Sequence, residues 1–108
     1  MPESTERGAL TEAVYYILLS LYTPLHGYGI MQHVGQLSKG RVTLGAGTLY
    51  GAINTMLGKG WIEAVPSNEG KRKKEYVITE LGKSVVQGEL LRLKELLENG
   101  HAIVGGRS

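Results

Sequence analysis

Two clusters of side chains in this sequence have the types and spacing to bind an anion. The first is Lys71-Arg72-Lys73-Lys74, four consecutive cations in a segment otherwise rich in turn formers, Pro66-Ser67-Asn68-Glu69-Gly70. Adjacent like charges repel one another unless an anion lies close, and a phosphate backbone supplies that anion with release of its counterions. A solvated loop that only aids solubility is the plainer alternative. The second cluster is Thr48, Tyr50, Asn54 and Thr55, which follow the glycine-rich turn Gly45-Ala46-Gly47. At helical spacing these four point away from Leu49, Ile53, Met56 and Leu57. Thr, Tyr and Asn can hydrogen-bond to phosphate or to base edges, and Asn suits a bidentate contact with adenine. Gly51 on the same side lets a backbone approach closely. A helix start bare of side chains offers free N–H groups to a phosphate.

Other chemistries find little support. The chain has no Cys, which removes disulfides, thiolate metal sites and a cysteine nucleophile. It has no Asp and no nucleophile motif, and no Ser-His-acid constellation is readable in it. His26 and His33 stand seven residues apart near one helix, where a solvent-facing or hydrogen-bonded core histidine fits better than a metal ligand. No cofactor, no metal and no catalytic residue is expected. Val42–Gly51 imitates the strand, G-x-G-x-x-x-G turn and helix of a dinucleotide site, with Glu63 on the strand that follows. The parallel strands and crossover that such an enzyme needs are missing from the pattern.

The elements that must position these residues read as follows. Leu10–Tyr22 is a helix with Leu10, Val14, Ile17, Leu18 and Leu21 on one face, ended by Thr23-Pro24. A second helix covers about Tyr28–Leu37. Arg41–Leu44 is a short β-type run. A third helix opens at Thr48, a candidate N-cap, and closes at Gly58-Lys59-Gly60. Trp61–Val65 and Glu75–Thr79 read as strands of one hairpin, with Tyr76 and Ile78 on a common face and the basic loop at its tip. Thr79–Asn99 is a long last helix. Its Val86, Leu90, Leu93 and Leu97 step by four, three and four, a coiled-coil-like seam suited to a second copy of the chain, with Leu81, Val85 and Leu96 as a flank able to pack on the domain.

Helix, helix, short strand, helix, strand, basic loop, strand, helix is the plan of a winged helix-turn-helix. The fold class expected is mainly α (α+β), with a C-terminal dimerisation helix. The segments expected are a flexible N-terminal stretch 1–9, a winged-helix DNA-binding domain 10–79, the dimerisation helix 80–99 and a flexible tail 100–108. At 42% hydrophobic, the 108-residue chain can build a core. The net charge is only +2, but residues 39–83 carry eight basic and four acidic side chains, so the positive field lies in the middle. Neither a signal peptide nor a membrane span is legible, and a cytoplasmic protein is expected.

Four stretches in order resemble the PadR family of prokaryotic transcriptional regulators: His26-Gly27-Tyr28-Gly29-Ile30, Gly47-Thr48-Leu49-Tyr50-Gly51-Ala52-Ile53, Leu57-Gly58-Lys59-Gly60-Trp61-Ile62, and Lys73-Lys74-Glu75-Tyr76-Val77-Ile78-Thr79-Glu80-Leu81-Gly82. The resemblance runs over about Leu10–Leu97. It implies that Tyr28, Thr48 and Tyr50 sit on the DNA side, that the last helix dimerises, and that the protein is a ligand-responsive repressor of an inverted-repeat operator. Some small members hold flat aromatic compounds between tryptophans of the last helix, whereas here Trp61 lies at the hairpin and the last helix has none. Tyr15, Tyr16 and Tyr22 on the first helix fit either a small-molecule cavity or core and interface packing, the commoner use. A winged helix used only for protein contacts is the remaining alternative, and it would not need the Lys71–Lys74 cluster.

Overall fold

A computed structural model of the chain describes residues 9–66 and 74–105. Among these residues the order is α1 (Glu12–Ser20), α2 (Gly27–Leu37), α3 (Ala46–Lys59), β1 (Ile62–Pro66), β2 (Lys74–Ile78) and α4 (Glu80–Val104). The expected flexible stretch 1–9 lies, apart from Ala9, outside the described residues, as do positions 106–108 of the expected tail.

Three of the four helix starts are capped by a side chain. Thr11 caps α1, its Oγ1 accepting the Val14 N–H at 3.1 Å. His26 caps α2 with Nδ1, which accepts from the Gly29 N–H at 3.3 Å, so its ring proton sits on Nε2. Thr79 caps α4 by accepting the Gly82 N–H at 3.0 Å, and its hydroxyl donates to the Gly60 carbonyl at 2.7 Å. The start of α3 differs from the sequence reading. Gly45, not Thr48, is the N-cap, it supplies no side-chain hydrogen bond, and Thr48 is the third residue inside the helix. Gly45 is already extended and the helix propagates back through Ala46 and Gly47, leaving the Thr48 hydroxyl free of capping duty.

Arg41–Leu44 was expected as a strand and forms none. The buried Ser38 organises this segment instead: its Oγ accepts the Val42 N–H at 3.0 Å, after Lys39 and Gly40 turn the chain at φ 55 and φ 81. The third strand position falls to Leu25, between α1 and α2. Leu25 and Tyr76 exchange both backbone hydrogen bonds, at 3.1 and 2.9 Å, and the Ile78 N–H reaches the Leu21 carbonyl at 2.8 Å. Once that edge of β2 is occupied, Arg41–Leu44 has no partner there, whatever the β propensity of Val42 and Thr43.

The hairpin is antiparallel, with Ile62 opposite Ile78, Ala64 opposite Tyr76 and Pro66 opposite Lys74. Ile62, Tyr76 and Ile78 face a core that also takes Ile17, Leu18 and Leu21 from α1, Ile30 and Val34 from α2, Leu49, Ile53 and Met56 from α3, and Val86 from α4. The last helix continues past the expected Asn99 to Val104. A single Gly100 costs about 1 kcal/mol of helix propensity and does not stop it. No helix among the described residues is long and apolar enough to cross a membrane.

The first turn of α4 presses directly on the chain entering β1. A Cβ added at Gly82 would lie 2.1 Å from the Trp61 carbonyl oxygen and 2.7 Å from Ile78 Cγ1. Gly82→Ala is therefore expected to lower the urea midpoint by the equivalent of about 1–3 kcal/mol, the usual range for an overpacked site. An unchanged midpoint would mean that α4 can slide without cost.

Candidate nucleic-acid interface

The outer face of α3 carries the side chains singled out from the sequence. Leu49, Ile53 and Met56 are buried, while Thr48, Tyr50, Gly51, Asn54 and Thr55 are exposed. The first intrahelical bond of α3 runs from the Leu49 N–H to the Gly45 carbonyl at 2.9 Å, so the N–H groups of Ala46, Gly47 and Thr48 point out of the helix start. Added Cβ atoms at Gly47, Gly51 and Gly58 would meet nothing within 4 Å. The protein's own packing does not require glycine at these positions, and the face they leave is low and open.

Tyr50 does two things at once. It is 44% exposed, yet its hydroxyl lies over the buried Gly27 at the start of α2, so close that a Cβ there would fall 2.1 Å from the phenolic oxygen. The ring thereby fixes α3 against α2 and keeps an edge in solvent. Tyr28, the next residue of α2, is exposed, and its hydroxyl accepts from Gln32 Nε2 at 3.4 Å. Gln32 was not singled out from the sequence, although its position one turn after Tyr28 on a polar face was legible. The Thr55 hydroxyl donates to the Gly51 carbonyl at 3.1 Å, which leaves it lone pairs to accept with. Tyr28, Gln32 and Tyr50 thus gather where α2 meets α3, and Thr48, Asn54 and Thr55 extend the polar surface along α3. Lys74 is exposed at the start of β2. Lys71, Arg72 and Lys73 lie outside the described residues.

The leucine seam of α4 divides in two. Val86 is 2% exposed and belongs to the domain's own core, so it leaves the proposed interface set. Leu90, Leu93 and Leu97 remain exposed, and Leu96, Ile103 and Val104 join them on the outer half of the helix, the last two more than 80% exposed. Val85 packs against the core, and Leu81, about half exposed, reaches the domain at Gly60, where an added Cβ would lie 3.7 Å from its Cδ2; Leu96 is about half exposed and outside the core cluster. The inner half of α4 must cover the hairpin and α1, and its apolar face is used up there.

Tyr15 and Tyr16 line an open cleft of about 350 Å³ between α1 and α4, together with Leu10, Glu12, Glu89, Arg92 and Leu93. Their rings lie 6.0 Å apart at a tilt of 46°. Burial, and then the charge of Glu89, push the Tyr15 phenol above its usual pKa. Glu89 is itself buried, yet its carboxyl is held below the usual range, chiefly by hydrogen bonds from Arg92, against burial, with help from the Leu10 N–H. Tyr22 is elsewhere, exposed, with the Lys83 ammonium 5.8 Å from its ring centroid.

Two of the three histidines have structural partners. His26 is the cap of α2. His33 Nδ1 lies 2.9 Å from Ser20 Oγ, whose own proton goes to the Tyr16 carbonyl at 2.8 Å, so His33 carries its proton on Nδ1. No group of three or more potential metal ligands occurs among the described residues. The Gly45-Ala46-Gly47 turn is followed by an antiparallel hairpin, not the parallel sheet of a dinucleotide fold.

A family model described as the transcriptional regulator PadR-like family matches residues 16–88, well over half of the chain. The chain belongs to the PadR-like family. Solved structures agree with that assignment in fold. A PadR-like transcription factor from Bacteroides fragilis is 25% identical, with a TM-score of 0.68 over 95% of this chain and 97% of that one. A PadR family transcriptional regulator from Eggerthella lenta is 22% identical, with a TM-score of 0.68 over 96% and 85%. The PcaV transcriptional regulator from Streptomyces coelicolor, solved with its natural ligand, is 18% identical, with a TM-score of 0.70 over 88% of this chain and 63% of its own length. No curated protein sequence matches the chain. This PadR-like protein is thus a winged-helix transcriptional regulator with a long C-terminal helix, and regulation of transcription, not catalysis, is its family's activity.

Proposed function

We propose that this PadR-like regulator is a ligand-responsive repressor that binds an inverted-repeat operator in double-stranded DNA as a homodimer. The observation that carries the reading is the outer face of α3, where Thr48, Tyr50, Asn54 and Thr55 stand exposed around glycines that have no packing reason to be there. Such a face fits a major groove, with the open helix start toward a phosphate. The exposed apolar outer half of α4 supports a two-fold partner, because a C2 contact covers the same surface twice. A ligand-bound relative of the same fold supports the responsive part.

In this reading Lys71, Arg72, Lys73 and Lys74 form a wing that supplies affinity without regard to sequence. Replacing all four with Ala is expected to weaken binding to the operator and to random duplex alike, and to flatten the salt dependence by about 0.9 log units per lost phosphate contact. Fluorescence anisotropy across a salt series measures both. A slope that stays the same removes the wing from the interface. Specific binding to the region upstream of its own gene, against competitor DNA, tests the reading as a whole.

A further inference from the structure

The turn between α2 and α3 offers one uncommitted hydroxyl to the outside. Arg41 and Thr43 are exposed there, whereas Val42 and Leu44 pack against the core. Thr43 lies two residues before the Gly45 cap, outside every helix and strand. Among the described residues, Thr43, Leu44 and Gly45 donate no backbone hydrogen bond, so this stretch can lift from the domain at little cost. The other serines and threonines among the described residues are committed or badly placed. Ser20 and Ser38 are buried. Thr11 and Thr79 cap helices, and Thr55 and Ser84 donate to backbone carbonyls one turn back. Thr48 is held in helical conformation by α3. Thr23 shares the exposure of Thr43 outside helix and strand, but Pro24 follows it and no cation precedes it closely.

The charges around Thr43 are one-sided. No acidic residue occurs between Glu12 and Glu63, while Lys39 and Arg41 stand four and two residues before Thr43, with Leu44 after it. Lys39 is exposed. The Arg41 guanidinium pairs with the Glu12 carboxylate at the start of α1, and the two side chains are 61% and 46% exposed, so the pair is weak and readily exchanged.

We propose that Thr43 is a phosphorylation site for a serine/threonine kinase that selects cations on the N-terminal side of its target, and that the phosphorylated regulator releases DNA. The second part rests on reading α3 as the DNA-contacting helix. The Thr43 hydroxyl attacks the γ-phosphorus of Mg-ATP, the bond from that phosphorus to the β–γ bridging oxygen breaks, ADP leaves, and the hydroxyl proton passes to the catalytic carboxylate of the kinase. Carboxylates of the kinase hold Lys39 and Arg41 meanwhile. The product places a charge of about −1.5 to −2 beside the α3 start. Ala46, Gly47 and Thr48 present free N–H groups there, and an added Cβ at Gly45 or Gly47 would meet nothing within 4 Å, so the space is open. A phosphate on Thr43 then competes for the place that a DNA phosphate takes in that reading and repels the strand around it.

The test incubates the full chain with Mg-ATP and the catalytic subunit of a basophilic serine/threonine kinase, and maps the product by mass spectrometry. A phosphoryl group should appear on Thr43 and none on Thr23. Thr43→Val should abolish it with the melting temperature unchanged. Arg41→Met should slow the reaction at least ten-fold. Glu12→Gln should speed it by up to about five-fold, because the weak pair no longer holds Arg41 back. A purely linear recognition motif would show no such gain. In anisotropy measurements the phosphorylated protein should bind the operator about ten-fold or more weakly, with the salt slope reduced by about 0.9 per protomer. No phosphate on Thr43, equal phosphorylation of Thr23, or indifference to Arg41→Met would overturn the site. A Glu12→Gln rate equal to that of the wild type would remove the ion pair from the mechanism. Phosphorylation with unchanged operator affinity would overturn the control of DNA binding. Failure of the unmodified protein to bind any operator would instead overturn the DNA reading, and the phosphorylation result would stand apart from it.

Discussion

Leu97→Asp is expected to convert the protein into folded monomers and to reduce operator affinity by at least a hundred-fold. Leu97 lies midway along the outer half of α4, 59% exposed and outside the domain core. With Leu90, Leu93, Leu96, Ile103 and Val104 it makes an apolar stripe on that half of the helix. Their exposed parts together amount to an area on the order of 600 Å², not far below the roughly 800 Å² per partner of a standard interface. Two aspartates meeting near a two-fold axis would add like-charge repulsion to the cost of desolvating each carboxylate. Neither penalty acts on the isolated domain, so its thermal melt should persist. A monomer contacts one half-site only and forfeits the avidity of two. Val86→Asp gives the contrasting outcome, because Val86 is 2% exposed among the core residues and its charge would unfold the domain. Light scattering separates the two variants. A Leu97→Asp protein that remains dimeric at micromolar concentration would place the interface elsewhere.

The parts of the fold that the sequence revealed are those governed by local periodicity. The buried faces of α1, α2 and α3 follow from the spacing of Ile17, Leu18, Ile30, Val34, Leu49, Ile53 and Met56, and β2 shows its inner face in Tyr76 and Ile78. What escaped depends on which of several competent segments wins a shared partner. Val42 and Thr43 are as β-prone as Leu25, yet Leu25 is the one that meets Tyr76. Val86 and Leu90 are successive positions of one apolar seam, yet one is consumed by the domain and the other stays outside. The outward face of α3 was legible by the same rule as its core face. The Arg41–Glu12 pair was not, because a contact between a turn and a helix start 29 residues earlier leaves no periodic trace.

Sequence choice is expected to reside in Asn54, and close approach in Gly51, and paired variants separate the two contributions. Asn54 is exposed one turn beyond Tyr50, with no intramolecular hydrogen bond recorded for its side chain among the described residues. Its amide can donate and accept side by side, the pattern that adenine presents in a major groove. Asn54→Ala should therefore cost about 1–3 kcal/mol on the operator and much less on random duplex, with specificity relaxed at one base pair of each half-site. Gly51→Ala works differently. The added methyl would meet nothing within 4 Å in the free protein, so the fold loses nothing and the helix gains about 0.5–1 kcal/mol of stability from the alanine. The same methyl would stand on the face proposed to meet the groove and would hold the backbone away from it. Operator and random affinities should then fall together while the melting temperature rises. That opposition between stability and binding is the signature of a glycine kept for the ligand's sake and not for the fold. If Asn54→Ala lowers both affinities equally, Asn54 only positions the helix and local DNA shape does the discriminating. If Gly51→Ala leaves both affinities intact, the face of α3 that carries Gly51 is not the one that meets DNA.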